Sequence, residues 1–149
     1  MAEIRRRGEA RWEGNLRSGR GRVSSESKVL KKEKYSFFTR FENEPGTNPE
    51  ELIAAAHAAC YSMAFAAMLG DRGQTPDYIE THATCILTPL DEGGFAITAM
   101  HLAVEGSVPG MDAAAFKQAA KEADKECPVS NLLRPGLDIH IEATFKPSA

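Results

Sequence analysis

The residues best placed to do chemistry are two cysteines and an arginine–glutamate pair. Cys60 lies inside the apolar run NPEELIAAAHAACYSMAFAAML, and Cys127 stands before a proline in ECPVSNLL. A thiol becomes a nucleophile only as the thiolate, which needs a nearby cation or a helix N-terminus to lower its pKa. Arg40, in the aromatic stretch YSFFTRF, offers a guanidinium, and Glu50 or Glu51 offers a carboxylate fork to orient it. Taken alone, Cys60 reads as packing, because a buried free cysteine behaves as a small hydrophobe. Cys127 at a proline-bounded junction has the place of a resolving thiol, one that approaches a first sulfur after oxidation. The third cysteine, Cys85, alternates with Ile79, Ala83 and Leu87 and reads as core.

Two other chemistries use the same residues. His57 stands three residues before Cys60, so the two side chains share a helix face, and a Cys–His acyl-transfer enzyme is a competing reading. No third orienting residue is evident for it. A zinc site from Cys60, His57 and Cys127 lacks any CxxC or HxxxH spacing. A non-catalytic redox sensor or dimeric binding module is a further alternative.

The elements that position these residues follow from pattern. Segments around Arg11–Trp12–Glu13, Gly21–Val23 and Tyr35–Phe41 read as strands separated by Gly- and Ser-rich turns. GTNPEEL opens a helix: Asn48 is the expected N-cap, Pro49 suits the first position, and Glu50 and Glu51 favour the positive end of the dipole. Either Thr47 with Glu50 or Asn48 with Glu51 could form a capping box. The helix should run to about Leu69 and stop at Gly70. It is apolar all round, so it is expected to be covered on every side, with Leu52, Ile53, Ala56, Ala59, Cys60, Met63 and Ala67 as one stripe. Strands are expected over Tyr78–Leu87 and Phe95–Val108, joined by a hairpin at GGF. Met111–Glu126 should form a second helix, ended by Cys127–Pro128, with a short helical turn over Ser130–Leu133. The last strand, Leu137–Phe145, alternates apolar and polar residues throughout. The order βββ–α–ββ–α–β makes residues 1–149 a single α+β domain.

That geometry constrains the chemistry. Glu50 and Cys60 are ten residues apart, hence about 15 Å along an unbroken helix and roughly 80° around it. They cannot touch within one straight helix. An arginine links them, the helix is broken, or Glu50 of one subunit meets Cys60 of another. Two antiparallel copies of the helix packed at a dimer interface are the favoured arrangement.

Composition narrows the class. Hydrophobic residues make up 42% and charged residues 26%, enough apolar content for a packed core and too much for global disorder. Residues 1–34 carry eleven Lys/Arg against five Asp/Glu, a net of +6, while the rest carries −9. The basic arm alternates with Gly, Glu and Ser and has few aromatics for base stacking, so it reads as a solvated strand face, with no nucleic-acid partner. The apolar run is interrupted by His57 and Ser62, which favours a core helix over a membrane span. MAEIRRRGEA lacks the apolar core of a secretory signal, and three cysteines do not make a disulfide scaffold. A cytoplasmic, reducing location is expected, with any disulfide transient.

These motifs resemble the OsmC/Ohr family, and its osmotically inducible OsmC branch in particular. GTNPEELIAAAHAACYSMAFAAMLG and CPVSNLL carry the likeness, and ARWEG, FTRFENEPGTNPEEL and GFAIT extend it over nearly the whole chain. The resemblance implies an OsmC-like fold with a long central helix, and an intertwined homodimer with sites at the subunit interface. It implies a thiol-dependent peroxidase that reduces organic hydroperoxides in stress defence. Position by position, Cys60 would be the peroxidatic cysteine, Cys127 the resolving one, Arg40 the thiolate-stabilising cation, and Glu50, selected over Glu51, the residue that orients Arg40. A dithiol reductant, a lipoylated protein or a small dithiol, would regenerate the pair. No cofactor or metal is called for. Phe37, Phe38, Met63 and Phe65 would make apolar surroundings suited to alkyl or lipid hydroperoxides.

Overall fold

A computed structural model describes residues 1–148. The chain divides into two compact units, Met1–Leu52 and a second from Ile53 onward.

The first unit is an antiparallel three-stranded sheet of β1 (Gly8–Glu13), β2 (Arg20–Ser25) and β3 (Glu33–Tyr35), in that order. The expected third strand, Tyr35–Phe41, departs from expectation. Pairing stops at Tyr35, and Phe37–Phe41 form a short helix, α1. The cause is local. Ser36 Oγ accepts the Thr39 N–H at 3.2 Å while Thr39 Oγ1 accepts the Ser36 N–H at 2.8 Å, a reciprocal cap that satisfies two helix-start donors. Phe37 and Phe41, one turn apart, then pack with ring centroids 4.9 Å apart. The aromatic content that suggests a strand serves a helix here.

Helix α2 (Pro49–Asp71) begins in this unit with the expected cap. Asn48 Oδ1 accepts the Glu51 N–H at 2.8 Å, and Asn48 Nδ2 donates to the Thr39 carbonyl at 3.2 Å. The far end runs past Gly70. Gln74 N–H bonds the Leu69 carbonyl and Gly73 N–H bonds that of Gly70, both at 2.9 Å. This is a Schellman closure, and the residue in the left-handed region is Gly73, at φ +73°.

The second unit holds β4 (Tyr78–Pro89), β5 (Phe95–Ser107), α3 (Ala113–Glu126), α4 (Pro128–Leu133) and β6 (Asp138–Phe145). β4 pairs antiparallel with β5, and β6 adds in parallel on the other side of β5. A parallel neighbour needs a crossover, which α3 and α4 supply. β6 alternates as expected, with Ile139, Ile141, Ala143 and Phe145 turned inward. The core forms where Tyr61, Phe65 and Leu69 of α2 meet Leu102 and Val104 of β5 and Phe116 and Ala120 of α3. Asp112 caps α3 by accepting the Ala115 N–H at 2.8 Å.

α2 also differs from expectation in its burial. It is long and apolar enough to cross a bilayer by length and composition. Yet it is not covered on every side by its own chain. The buried stripe is His57, Tyr61, Phe65 and Leu69, a regular i, i+4 series. Ala55, Ala56, Ala59, Met63 and Ala67 lie open, Met63 at 75% exposure. Phe65 fills the core against Phe116, with ring centroids 5.3 Å apart, and so is not part of any open apolar surface.

An added Cβ at Gly73 would meet nothing within 4 Å, so Gly73→Ala tests backbone conformation alone. It should lower unfolding free energy by about 1 kcal/mol in a urea titration. An unchanged midpoint would mean that the turn does not depend on glycine.

Candidate active site

The four residues singled out in the sequence fall into two pairs. In the first unit, Arg40 at the end of α1 reaches Glu50 in the first turn of α2. Arg40 Nη2 donates to Glu50 Oε1 at 2.7 Å, and Nε donates to Oε1 at 3.1 Å and to Oε2 at 3.3 Å. The Glu50 side chain is only 11% exposed against 37% for Arg40. A fork this sheltered fixes the guanidinium in orientation. Asn48 already caps the helix through the Glu51 amide, so the Glu50 carboxylate is free to serve Arg40. The Arg40 guanidinium also lies 5.3 Å from the centre of the Phe41 ring.

In the second unit, Cys60 of α2 and Cys127 are brought side by side. Cys127 sits at the hinge between two helices, ending α3 and capping α4, with Pro128 at the first position of α4. It is wholly buried. The Ser130 N–H donates to Cys127 Sγ at 3.4 Å, and the Val129 N–H donates to the sulfur of Cys60. Two successive amides of the first turn of α4 thus serve two different thiols. The thiols are hydrogen-bond neighbours of each other, and neither is in a disulfide. Burial is the largest influence on Cys60 and pushes its pKa up. The Val129 amide works against this, and the adjoining Cys127 adds to it. Cys85 is half-buried on β4, opposite Met100.

Sequence reasoning missed what lies behind this pair. His57 Nε2 and Ser130 Oγ are 2.7 Å apart, both fully buried. Arg134 Nη1 donates to Asp124 Oδ2 at 2.8 Å and its Nη2 to the Asp124 carbonyl at 3.2 Å. The Tyr61 hydroxyl donates to the Ala120 carbonyl at 2.6 Å. The one available signal for Ser130 was its place three residues after Cys127, the third position of a helix that starts with proline. His57 Nδ1 and Asp124 Oδ1 are buried without a protein partner. Burial holds the His57 pKa below its ordinary value, the Asp124 charge opposes this, and Arg134 adds to it. Among the described residues, no group of three or more His, Cys, Asp or Glu side chains is arranged to hold a metal.

Two adjacent free thiols thus meet at a helix junction, each sulfur receiving a backbone N–H. The chain belongs to the OsmC family: residues 41–142 match the family described as OsmC-like protein. It is 52% identical to the protein named peroxiredoxin OsmC of Escherichia coli (strain K12) over 131 residues, covering 88% of this chain and 91% of that one. It is 34% identical over 95 residues to the organic hydroperoxide resistance protein of Xanthomonas axonopodis pv. citri, 63% of this chain and 64% of the relative. The fold matches the crystal structure of an organic hydroperoxide resistance protein from Elizabethkingia anophelis, with a TM-score of 0.74 at 20% identity over 98% of this chain and all of the other.

A histidine whose folded pKa is depressed binds fewer protons than the unfolded chain does, so its contribution to stability is lost as pH falls below about 6.5. The loss continues until the folded pKa is reached. The melting temperature should therefore drop from pH 7 to pH 5, and His57→Gln should flatten that slope. Identical slopes for the two proteins would exclude His57 as a source.

Proposed function

We propose that this protein is a thiol-dependent peroxidase that reduces organic hydroperoxides to alcohols. The single observation that carries the proposal is the contact between the thiols of Cys60 and Cys127 at the start of α4. The names of its relatives, peroxiredoxin and organic hydroperoxide resistance protein, agree with it.

The chemistry divides into three balanced steps. The Cys60 thiolate attacks the distal oxygen of the hydroperoxide. The O–O bond breaks, an S–O bond forms, and the alkoxide leaves and takes up a proton as the alcohol, with Cys60 now a sulfenic acid. The Cys127 sulfur then attacks Cys60 and displaces the hydroxyl as water, carrying the proton from the Cys127 thiol. This leaves a Cys60–Cys127 disulfide. A dithiol, small or protein-bound, reduces the disulfide and is itself oxidised to a disulfide.

The first step needs Cys60 as the thiolate, against a burial that favours the thiol. A guanidinium offsets that penalty. Arg40, oriented by Glu50, is the cation we assign to it. Ten residues of continuous helix separate Glu50 from Cys60, about 15 Å, which favours delivery of the pair from a second copy of the chain. The open stripe of Ala55, Ala56, Ala59, Met63 and Ala67 is suited to that arrangement, since small side chains let two helices approach closely. The active form is then a homodimer in which the whole chain works as one functional domain. Apolar surface on Met63, Phe37 and Phe38 favours a hydroperoxide with a hydrocarbon tail. A soluble, cytoplasmic location suits a catalyst that depends on a dithiol reductant.

The test follows loss of cumene hydroperoxide with dihydrolipoamide, together with intact mass after one equivalent of oxidant. Wild type should turn over repeatedly and lose two mass units, the signature of one disulfide. Cys60→Ser should abolish turnover. Cys127→Ser should form a sulfenic acid and fail to recycle through the disulfide. Oxidation without repeated turnover would assign a sensor in place of an enzyme.

A further inference from the structure

The closure of the Cys60–Cys127 disulfide depends on α4 remaining docked on α2 after Cys60 has changed chemically. α4 is well fastened to α3. Asn131 Nδ2 donates to the Lys125 carbonyl at 2.9 Å, and Arg134, just past α4, holds Asp124. Towards α2 the fastening is different. Among the side-chain hydrogen bonds of the described residues, His57–Ser130 joins α4 to α2, at 2.7 Å and with both residues fully buried. Beside the contact between the two thiols, a further polar link is the Val129 N–H on the sulfur of Cys60, the atom that the peroxide oxidises. Once that sulfur carries an oxygen, the Val129 contact no longer has the same acceptor. The His57–Ser130 bond is untouched by the reaction.

Its position gives it leverage on both thiols. His57 is one turn before Cys60 on the same helix. Ser130 donates its own N–H to Cys127 Sγ at 3.4 Å, so whatever fixes Ser130 fixes the amide that holds the Cys127 sulfur. We propose that His57 and Ser130 are positioning residues for the resolving step: their hydrogen bond clasps the start of α4 to α2 so that Cys127 stays within reach of the oxidised Cys60. The proposal rests on the peroxidase reading above. In the step concerned, the Cys127 sulfur bonds to Cys60 and the sulfenic hydroxyl departs as water with the Cys127 proton. Disulfide formation tolerates little error in the separation of the two Cβ atoms, close to 3.8 Å. Holding two reacting groups in place is a major source of rate in such unimolecular steps. On this proposal the clasp acts on the second step and leaves the first alone.

The experiment is a single turnover by rapid mixing with one equivalent of cumene hydroperoxide and no reductant. Sulfenic acid is trapped with dimedone, and disulfide is read by intact mass. Wild type must show sulfenic acid followed by disulfide; if it shows neither, the peroxidase reading fails before the clasp is at issue. With wild type behaving so, Ser130→Ala should form sulfenic acid within twofold of the wild-type rate and close the disulfide at least tenfold more slowly, with dimedone adduct accumulating. His57→Asn, a second break of the same bond from the α2 side, should do the same, and the double variant should be no slower than the slower single one. Ser130→Thr keeps the hydroxyl and should return closure to within threefold of wild type. Closure at the wild-type rate in either single variant overturns the proposal. So does an equal fall in both steps that Ser130→Thr does not rescue, because that pattern belongs to a merely structural bond.

Discussion

The interaction on which the site depends is the meeting of two sulfurs with the first turn of α4. Val129 offers its N–H to Cys60 and Ser130 offers its N–H to Cys127, while Pro128, having no N–H, fixes where the turn begins. A helix start has unpaired amides in any case. Here they are turned to sulfurs, and for Cys60 the amide works against a burial that raises the thiol pKa. The core is arranged so that α4 can take up this place. α2 turns Tyr61, Phe65 and Leu69 towards β5 and α3, and the parallel β6 requires a crossover that passes through α3 and α4. Cys127 lies at the corner of that crossover where α3 gives way to α4.

The same arrangement leaves a deficit. The Val129 amide alone does not overcome the desolvation of Cys60, to which the adjoining Cys127 adds, and the Cys60 pKa stands above the ordinary value. On our proposal the offsetting cation is Arg40, which the sheltered carboxylate of Glu50 holds in orientation. The helix that links Glu50 to Cys60 in sequence also keeps them apart in space. On our proposal, the open small-residue stripe of α2 resolves this by admitting a second copy. One feature, the length of α2, then accounts both for the separation of the two halves of the site and for the need of a dimer.

Much of this was legible in the sequence. The Asn48–Pro49 helix start, the alternation of β6 and the break at Cys127–Pro128 are local signals, and each appears where the residues place it. The choice of Glu50 over Glu51 as the arginine's partner came from family resemblance, and the bidentate contact with Arg40 agrees with it. The failures have a common cause. The aromatic content of Phe37–Phe41 reads as a strand, while the Ser36–Thr39 cap makes the segment a helix. The buried face of α2 is not legible because every face is apolar, and periodicity carries no information when there is no polar side to contrast. Ser130, Asp124 and Arg134 owe their roles to partners distant in sequence or to burial, and neither is visible in a single chain of letters.

The claim that most needs testing is that Arg40 of one copy arms Cys60 of another. Mixed dimers test it directly. Cys60→Ser and Arg40→Met proteins, each inactive or nearly so, are unfolded together, refolded together and assayed with cumene hydroperoxide and dihydrolipoamide. If the site is shared, the mixed dimer contains one intact Arg40–Cys60 combination, and about a quarter of wild-type activity should return with random pairing. Activity no greater than the sum of the two parents, in a sample shown to contain mixed dimers, would contradict the account and place the arginine and the thiol of each working site in the same chain.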